Sequence, residues 1–218
     1  MSHKDTSIVL LGEWGVGKSS MLAAHLSGCA QVKTTPSTIG MSFCMLEPTS
    51  LSLPSGIACW DTAGQERYRA LIPMYTRNAG AFICLVPSTS PRDHDSARDN
   101  IIASLTTTLQ DGGSRNLIHI ALVMSKCDVG GNVDDILSPL KTAVSNVLQN
   151  AGSSARISCH ECSSLNPASC TAVFTHCMDA IKDHHVHDLH LQSSITRMQG
   201  LAPPQIEGTS CSQKRKCC

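Results

Sequence analysis

Short apolar runs recur along the chain and alternate with longer segments that have helical periodicity. Strands are predicted at residues 7–11 (SIVLL), 40–46, 57–60, 81–86 (AFICLV), 117–124 (LIHIALVM) and 155–158. Helices are predicted over residues 18–26, 92–109, 133–149 and 168–186. Strands that alternate with helices indicate an α/β fold, in which a mostly parallel six-stranded sheet is flanked by helices.

The pattern ends near residue 187. The segment QSSITRMQGLAPPQIEGTSCSQ is polar and rich in Pro, Gly and Ser, which is typical of a flexible tail. We therefore expect one globular domain at residues 6–186 and a flexible tail at residues 187–218.

Composition narrows the class of protein. The chain has 218 residues, and its 17 basic and 17 acidic residues balance, so its charge gives no reason to expect nucleic acid as a partner. The first residues, MSHKDTS, do not resemble a signal peptide, and no apolar run is long enough to span a membrane. The 12 cysteines are therefore expected to be reduced and cytosolic. The sequence Cys159-His160-Glu161-Cys162 lacks a second pair of the kind that structural zinc requires.

The stretch GEWGVGKSS, residues 12–20, follows the first predicted strand and leads into the first helix. In such a loop the backbone N–H groups wrap a β-phosphate at the positive end of the helix. Lys18 would reach the β- and γ-phosphates, and the Ser19 hydroxyl would ligate Mg²⁺. The motif predicts a nucleotide site.

A second segment, CWDTAGQERYRAL at residues 59–71, follows another strand. Asp61 can hold the water shell of Mg²⁺, and Gly64 allows the backbone to approach a γ-phosphate. Gln65 is a neutral donor and acceptor suited to orienting an attacking water, so it is the candidate catalytic residue.

Together these motifs resemble the Rab family of small GTPases, within the Ras superfamily. The resemblance rests on GEWGVGKSS, STIGMSF, WDTAGQERY and the terminal CC. Two segments are most similar to the early-endosome branch of the family: LLGEWGVGKSS, which contains the phosphate-binding loop (P-loop), and ERYRALIPMYTRNA. It implies a P-loop GTPase fold that binds GTP or GDP with Mg²⁺. A P-loop kinase or ATPase is the distant alternative, since it would need neither DTAGQE nor SKCD.

The resemblance also implies which residues contact the nucleotide. Thr38 would close over Mg²⁺ and the γ-phosphate, Lys126 would lie along the base, and Asp128 would read guanine. The Ser164 backbone N–H would meet the guanine O6 atom. The full predicted set is Gly12, Glu13, Trp14, Gly15, Val16, Gly17, Lys18, Ser19, Ser20, Thr38, Asp61, Gly64, Ser125, Lys126, Asp128, Ser163, Ser164 and Leu165.

Partners and membrane attachment are implied in the same way. Phe43, Trp60 and Tyr75 match the aromatic triad that Rab proteins present to effectors. Cys217 and Cys218, after the basic residues 214–216, match a double geranylgeranylation signal. A monomer is expected on the cytoplasmic face of endosomes and vesicles, cycling with the cytosol. Its partners would be an exchange factor, a GTPase-activating protein (GAP), an escort or GDP-dissociation-inhibitor chaperone, and effectors.

Four positions depart from the family pattern. Trp14 stands where a small residue is usual. The indole would either crowd Gln65 and an incoming arginine finger or turn outward onto switch II, the second switch segment, which residues 61–65 would form. Ser125 replaces an Asn, Leu165 replaces a Lys, and residues 29–31 (CAQ) lack the aromatic ring expected against guanine. Apart from Trp14, the departures predict weaker nucleotide binding, by about 1–3 kcal/mol for the hydrogen bonds lost at Ser125.

Two functions follow from these observations. The first is a guanine-nucleotide switch with slow, GAP-dependent GTP hydrolysis that regulates vesicle and endosomal traffic. The alternative is a degenerate relative that binds nucleotide weakly, or does not hydrolyse it, and serves as an interaction scaffold.

Overall fold

The computed structural model describes residues 6–32, 36–47, 56–65, 68, 72–76, 78–89, 91–110 and 117–199, with the backbone alone for 91–93 and 187–199. The chain divides into two compact units, Met1–His184 and His185–Cys218. The first unit contains the whole sheet, and the described part of the second is helical.

A six-stranded sheet forms the centre of the first unit, in the order β2-β3-β1-β4-β5-β6. The strands are β1 (Ser7–Leu11), β2 (Met41–Leu46), β3 (Ile57–Thr62), β4 (Ala79–Pro87), β5 (His119–Ser125) and β6 (Arg156–Cys162). Neighbouring strands are parallel except β2, which runs antiparallel to β3. The predicted fold class is confirmed. β1, β4 and β5 are buried at every position, which explains their nearly unbroken apolar sequences.

Helices cover both faces of the sheet. They are α1 (Lys18–Ser27), α2 (Ile72–Thr76), α3 (Pro91–Gln110), α4 (Val133–Asn150) and α5 (Pro167–Gln199). Residues of α1 and α5 pack in one apolar cluster with one face of the strands, and residues of α3 and α4 pack in a second cluster on the other face. The five-residue α2 and a 3-10 turn at Cys127–Val129 were not predicted, because elements this short carry no clear periodicity.

Local chemistry fixes the start of α4. The Asn132 side chain accepts a hydrogen bond of 2.9 Å from the backbone N–H of Asp134, and Asp134 and Asp135 place negative charge in the first turn. The helix therefore begins at Val133, and three residues separate it from the end of the 3-10 turn at Val129.

The predicted last helix, at residues 168–186, is longer in the structure, because α5 continues to Gln199. The flexible tail stays a prediction. The segment HDLHLQSSITRMQ contains neither Pro nor Gly, so nothing in it stops the helix before Gly200. The rest of the predicted tail, with Cys217 and Cys218, lies outside the described residues. Within the described part of the chain, no helix is both long enough and apolar enough to cross a membrane.

Candidate functional site

The GEWGVGKSS loop joins β1 to α1 in a backbone conformation that requires glycine. Gly15 and Gly17 have φ values of 76° and 103°, in the region that L side chains avoid. Gly17 is also the N-terminal cap of α1. The strand, loop and helix predicted from the motif are therefore present.

Lys18 is drawn into this loop. Its Nζ donates hydrogen bonds of 2.8 Å to the backbone oxygens of both Gly12 and Glu13, and the side chain is 5% exposed. Burial lowers the pKa of Lys18 to about 8, against the opposing effects of the Asp61 and Glu13 carboxylates. A phosphate at this position would further favour the charged ammonium form.

The three predicted magnesium residues converge at the start of α1. The Ser19 hydroxyl donates a 2.6 Å hydrogen bond to Asp61 Oδ2, Thr38 Oγ1 donates to the same oxygen at 3.2 Å, and the two hydroxyl oxygens lie 2.9 Å apart. Burial is the main cause that raises the pKa of Asp61, while Ser19, Lys18 and Thr38 lower it.

The second Asp61 oxygen indicates what this cluster can hold. Oδ1 is buried and has no hydrogen-bond partner among the described residues. A carboxylate and two hydroxyls are hard oxygen ligands, which suit Mg²⁺ and its bound waters. The residues therefore fit the predicted metal, with Asp61 acting directly or through water. By contrast, His, Cys, Asp and Glu side chains form no potential metal site of three or more anywhere in the described chain.

One groove of about 340 Å³ contains both the phosphate loop and part of the predicted base site. Its lining includes the predicted residues Trp14, Gly15, Val16, Gly17, Lys18, Ser19, Ser20, Thr38, Gly64, Ser125, Lys126 and Ser164. Cys162 and Ser37, which were not predicted, also line it. Ser37 is the first residue of the STIGMSF motif and Cys162 directly precedes Ser163, so each adjoins a predicted residue.

The base end of the groove is formed by the chain after β5 and the chain after β6. Lys126 has a φ of 58°, and its carbonyl accepts a 2.6 Å hydrogen bond from the Ser88 hydroxyl. The Ser163 hydroxyl donates a hydrogen bond to the Asp128 carboxylate and accepts one of 3.1 Å from the Leu165 N–H. Ser163 thus holds the two base-reading segments together.

The segment that lacks the expected aromatic ring lies beside this end of the groove. The Gln31 backbone N–H donates a 2.8 Å hydrogen bond to the Ser164 carbonyl. The Gln31 side chain donates to Ser27 Oγ and to the Cys29 carbonyl. Where an aromatic ring was expected to stack on the base, Gln31 therefore forms hydrogen bonds with neighbouring residues of the protein.

Ser125 fastens the phosphate loop to the sheet. Its hydroxyl donates 2.7 Å to the Val16 carbonyl and lies 3.3 Å from the Val86 carbonyl, and the residue is 4% exposed. Ser125, which replaces the Asn usual in the family, therefore still hydrogen-bonds to the loop. Its hydroxyl has only one proton, which it must share between the two carbonyls.

Gln65 lies outside the groove. It lines a separate cavity of about 30 Å³ with Asn100 and Ser104 of α3, and its Oε1 is buried without a described partner. Gly64 packs so closely on the backbone of Glu13 and Trp14 that a Cβ would overlap them. The structure thus brings 12 of the predicted binding residues together in the groove. It places Gln65 in the separate cavity, between Gly12 and Glu13 of the phosphate loop and α3.

Trp14 and Glu13 both reach away from the loop. The Trp14 side chain is 64% exposed, and its indole N–H donates a 3.1 Å hydrogen bond to Ser37, next to Thr38. The Glu13 carboxylate accepts hydrogen bonds from Ser96 and Asn100 of α3, two contacts that no sequence motif signalled. The indole therefore bridges the loop and the switch I segment, whereas the outward alternative had placed it on switch II.

The predicted aromatic triad is continuous. Phe43 and Trp60 occupy paired positions on β2 and β3, with ring centroids 4.8 Å apart, and Tyr75 of α2 lies 4.9 Å from Trp60. Phe43 and the nearby Ile39, Met45 and Met74 are exposed, at 49% or more. This is an apolar surface suited to a protein partner.

The strand order, the glycine-dependent loop and the oxygen cluster define the P-loop GTPase fold of the Ras type. The Ras family model matches residues 7–183. The chain is 32% identical over 129 residues to Rab-22A of Homo sapiens, covering 59% of this chain and 63% of that protein. It is 34% identical over 128 residues to Rab5 of Nicotiana tabacum, covering 59% and 60%. Rab-31 of Rattus norvegicus is 31% identical over 148 residues, covering 66% and 68%.

The chain belongs to the Ras family and, within it, to the Rab proteins. Its aligned part spans about six tenths of the length of the first two relatives.

A change at Ser125 tests the structural role of its hydroxyl. In Ser125→Ala the buried Val16 carbonyl loses its partner, at a cost of about 1–3 kcal/mol. We expect this variant to release a fluorescent GDP analogue faster than the parent. Ser125→Asn, with two N–H donors, should slow release several-fold. Ser145→Ala, an exposed change on α4, is the matched control. Equal release from all four proteins would remove Ser125 from the site.

Proposed function

We propose that the chain is a Rab-type guanine-nucleotide switch, which binds GTP and GDP with Mg²⁺, hydrolyses GTP slowly and regulates vesicle and endosomal traffic. One observation carries the proposal: a single groove is lined by the phosphate-end residues Lys18, Ser19 and Thr38 and by the base-end residues Ser125, Lys126 and Ser164. Ser19 and Thr38 both contact Asp61 from this groove. Resemblance to the early-endosome branch supports the choice of membrane.

In this proposal each part of the groove has one task. Lys18 and the loop N–H groups bind the β- and γ-phosphates, and the Asp128 carboxylate accepts hydrogen bonds from the two guanine donors at N1 and N2. Ser163 holds that carboxylate in place. Bound Mg²⁺ would neutralise charge on the phosphates, with Ser19, Thr38 and Asp61 as its holders.

Hydrolysis should be slow because Gln65 does not line the groove and lies instead in the small cavity between the phosphate loop and α3. It must leave the small cavity at Asn100 and Ser104 before it can orient a water. Small GTPases without an arginine finger turn over at about 10⁻⁴ s⁻¹, and a GAP supplies that arginine. We therefore expect activity to depend on a GAP.

The apolar surface around Phe43, Trp60 and Tyr75 is the proposed effector contact. Geranylgeranyl groups on Cys217 and Cys218 are proposed to attach the protein to the cytoplasmic face of endomembranes, and two lipid chains are needed for stable attachment. An exchange factor and an escort or GDP-dissociation-inhibitor chaperone would complete the cycle between membrane and cytosol.

A scaffold that holds nucleotide weakly is the second candidate. Two features favour it. Gln65 lies in the small cavity beside α3 and not in the groove, which should slow hydrolysis. The segment at residues 29–31 has no aromatic ring to stack on the base, which should weaken nucleotide binding. The triad would still present an interaction surface in such a protein.

The nucleotide content of freshly purified protein separates these candidates. We expect near-stoichiometric GDP or GTP when the denatured protein is analysed by ion-exchange chromatography. Ser19→Ala, which removes one oxygen of the predicted magnesium cluster, should carry less nucleotide. A parent protein that carries none, yet melts cooperatively, would favour the scaffold.

Trp14 should impair hydrolysis more than binding. The loop N–H groups, Lys18 and Ser19 do not need a small side chain at position 14, so we expect Trp14→Ser to bind GTP as the parent does. It should hydrolyse GTP faster, and most of the gain should appear with a GAP. The reason is that the attacking water, Gln65 and the arginine of the GAP must meet at the γ-phosphate, and a displacement of any of them by about 1 Å can cost 10²-fold in rate.

Trp14→Phe separates the size of the ring from its hydrogen bond to Ser37. Single-turnover hydrolysis of parent, Ser and Phe variants, each with and without GAP, is the measurement. If the Phe variant hydrolyses GTP as slowly as the parent, the size of the ring causes the slow rate. If it hydrolyses GTP as fast as the Ser variant, the hydrogen bond to Ser37 causes it. Equal rates in all three would show that the indole does not affect the reaction.

A further inference from the structure

Three histidines meet around one serine where α5 covers the sheet. His119 begins β5, Ser158 and His160 belong to β6, and His176 lies in α5. The Ser158 hydroxyl forms hydrogen bonds of 2.8 Å with His119 Nε2 and of 2.7 Å with His160 Nε2. The ring centroid of His176 lies 5.0 Å from those of both other histidines. This histidine cluster, made of His119, Ser158, His160 and His176, therefore joins two strands to the helix that packs on them.

The number of protons in the cluster suits neutral rings. A neutral histidine has one N–H donor and one nitrogen acceptor, and a serine hydroxyl can donate one hydrogen bond while it accepts another. Ser158 can therefore donate to one Nε2 atom and accept from the other. If both rings were protonated, two N–H groups would point at the same oxygen, and neither ring could accept the hydroxyl proton.

His119 is the most deeply placed ring of the cluster. The residue is 3% exposed, and its Nδ1 atom is buried without a hydrogen-bond partner among the described residues. A protonated ring carries a proton on both nitrogens, so its Nδ1–H would be buried without an acceptor. A buried donor that lacks a partner destabilises the folded state, so the geometry favours a neutral His119.

The groups that surround His119 also oppose a positive charge on it. Arg156, its paired residue on β6, is a cation, and its paired residue on β4 is the uncharged Ala81. On α5 it faces the His176 ring. Asp179, one turn further along α5, lines an open groove beside His176, where water screens its charge. No strong anion therefore compensates a proton on His119 from these elements.

Burial and these neighbours act together on the pKa of His119. Burial has the largest effect, and His176, Arg156 and His160 add to it, so the pKa falls from its ordinary value of 6.5 to about 4. Burial and His176 lower the pKa of His160 as well. Between these two pH values the folded protein binds fewer protons than the unfolded chain. Its stability should therefore fall as the pH falls from 6.5 towards 4.

We propose that the histidine cluster is an acid-sensitive lock, which fastens α5 to β5 and β6 while its rings are neutral and releases the helix when His119 takes up a proton. Protonation places a positive charge and an unpaired N–H between the strands and the helix. The helix yields first, because β5 is hydrogen-bonded to a strand on each side, whereas α5 is held by side-chain packing. The lock does not depend on the proposed function.

The test measures the stability of the full chain against pH. Urea unfolding is followed by circular dichroism for the parent and for His119→Gln, whose amide does not titrate and can still meet the Ser158 hydroxyl. With a pKa of about 4 in the fold and 6.5 in the unfolded chain, His119 alone should lower the folding equilibrium constant about 20-fold between pH 7 and pH 5. We expect the parent to show this loss and His119→Gln to lack it.

His119→Phe is a second variant, which keeps an aromatic ring in the same space in case Gln packs poorly. His184→Gln, an exposed change on α5, is the matched control and should follow the parent. The titration of the His119 ring protons in the folded parent, followed by NMR, needs no substitution, and we expect it well below the ordinary value.

Amide hydrogen exchange locates the release of the helix. The parent and His119→Gln are compared at the same acidic pH, so the chemical exchange rate is the same for both. We expect faster exchange in the parent, with the largest difference in residues 167–184 of α5.

Three results would overturn the inference. They are a pH dependence of stability that is the same in the parent and in both His119 variants, a titration of His119 in the folded protein at its ordinary pKa of 6.5, or an exchange difference spread evenly over the chain. None of these measurements uses nucleotide. A protein that binds no GDP would therefore contradict the proposed function and leave the lock standing.

Discussion

A buried carboxylate at the end of β3 organises the phosphate end of the groove. Asp61 receives hydrogen bonds from the Ser19 and Thr38 hydroxyls, one from the start of α1 and one from switch I. A charge held in so little water is costly unless it is paired, and burial raises its pKa for that reason. Burial also lowers the pKa of Lys18, the nearby cation, to about 8. The site as a whole is therefore built for ligands that bring both a phosphate anion and a metal cation.

The base end depends on a different kind of constraint, in which short polar side chains fasten loops to one another. Ser125 holds the phosphate loop, Ser88 holds Lys126, and Ser163 holds Asp128. Each contact is a single hydroxyl bond, worth about 1 kcal/mol net. Nucleotide affinity in this chain should therefore respond to small local changes, such as a substitution at Ser125.

Much of this was predictable from the sequence, and the exceptions have physical reasons. The buried runs that became β1, β4 and β5 are unambiguous, because only a strand covered on both faces is apolar throughout. The glycine-rich loop and Asp61, near the end of β3, predicted the oxygen cluster, because each is part of a recognisable motif. Periodicity failed for α2, which is too short to show any, and for the end of α5, where a polar composition concealed a helix without breakers.

Contacts between distant segments could not be predicted. Nothing in the sequence places Trp14 against Ser37 or Glu13 against Asn100, because these pairings depend on tertiary packing. The same is true of Gln65, which lies in a cavity between the phosphate loop and α3.

The central claim is that this groove selects guanine, and competition binding of GTP against ATP tests it most directly. Asp128 has a carboxylate that accepts from the N1 and N2 donors of guanine, whereas adenine presents an acceptor at N1. The parent should prefer GTP strongly, Asp128→Ala should lose that preference, and Asp135→Ala, an exposed acidic residue in α4, should keep it. A parent that binds GTP and ATP equally, or an Asp128→Ala variant that still discriminates between them, would contradict the account.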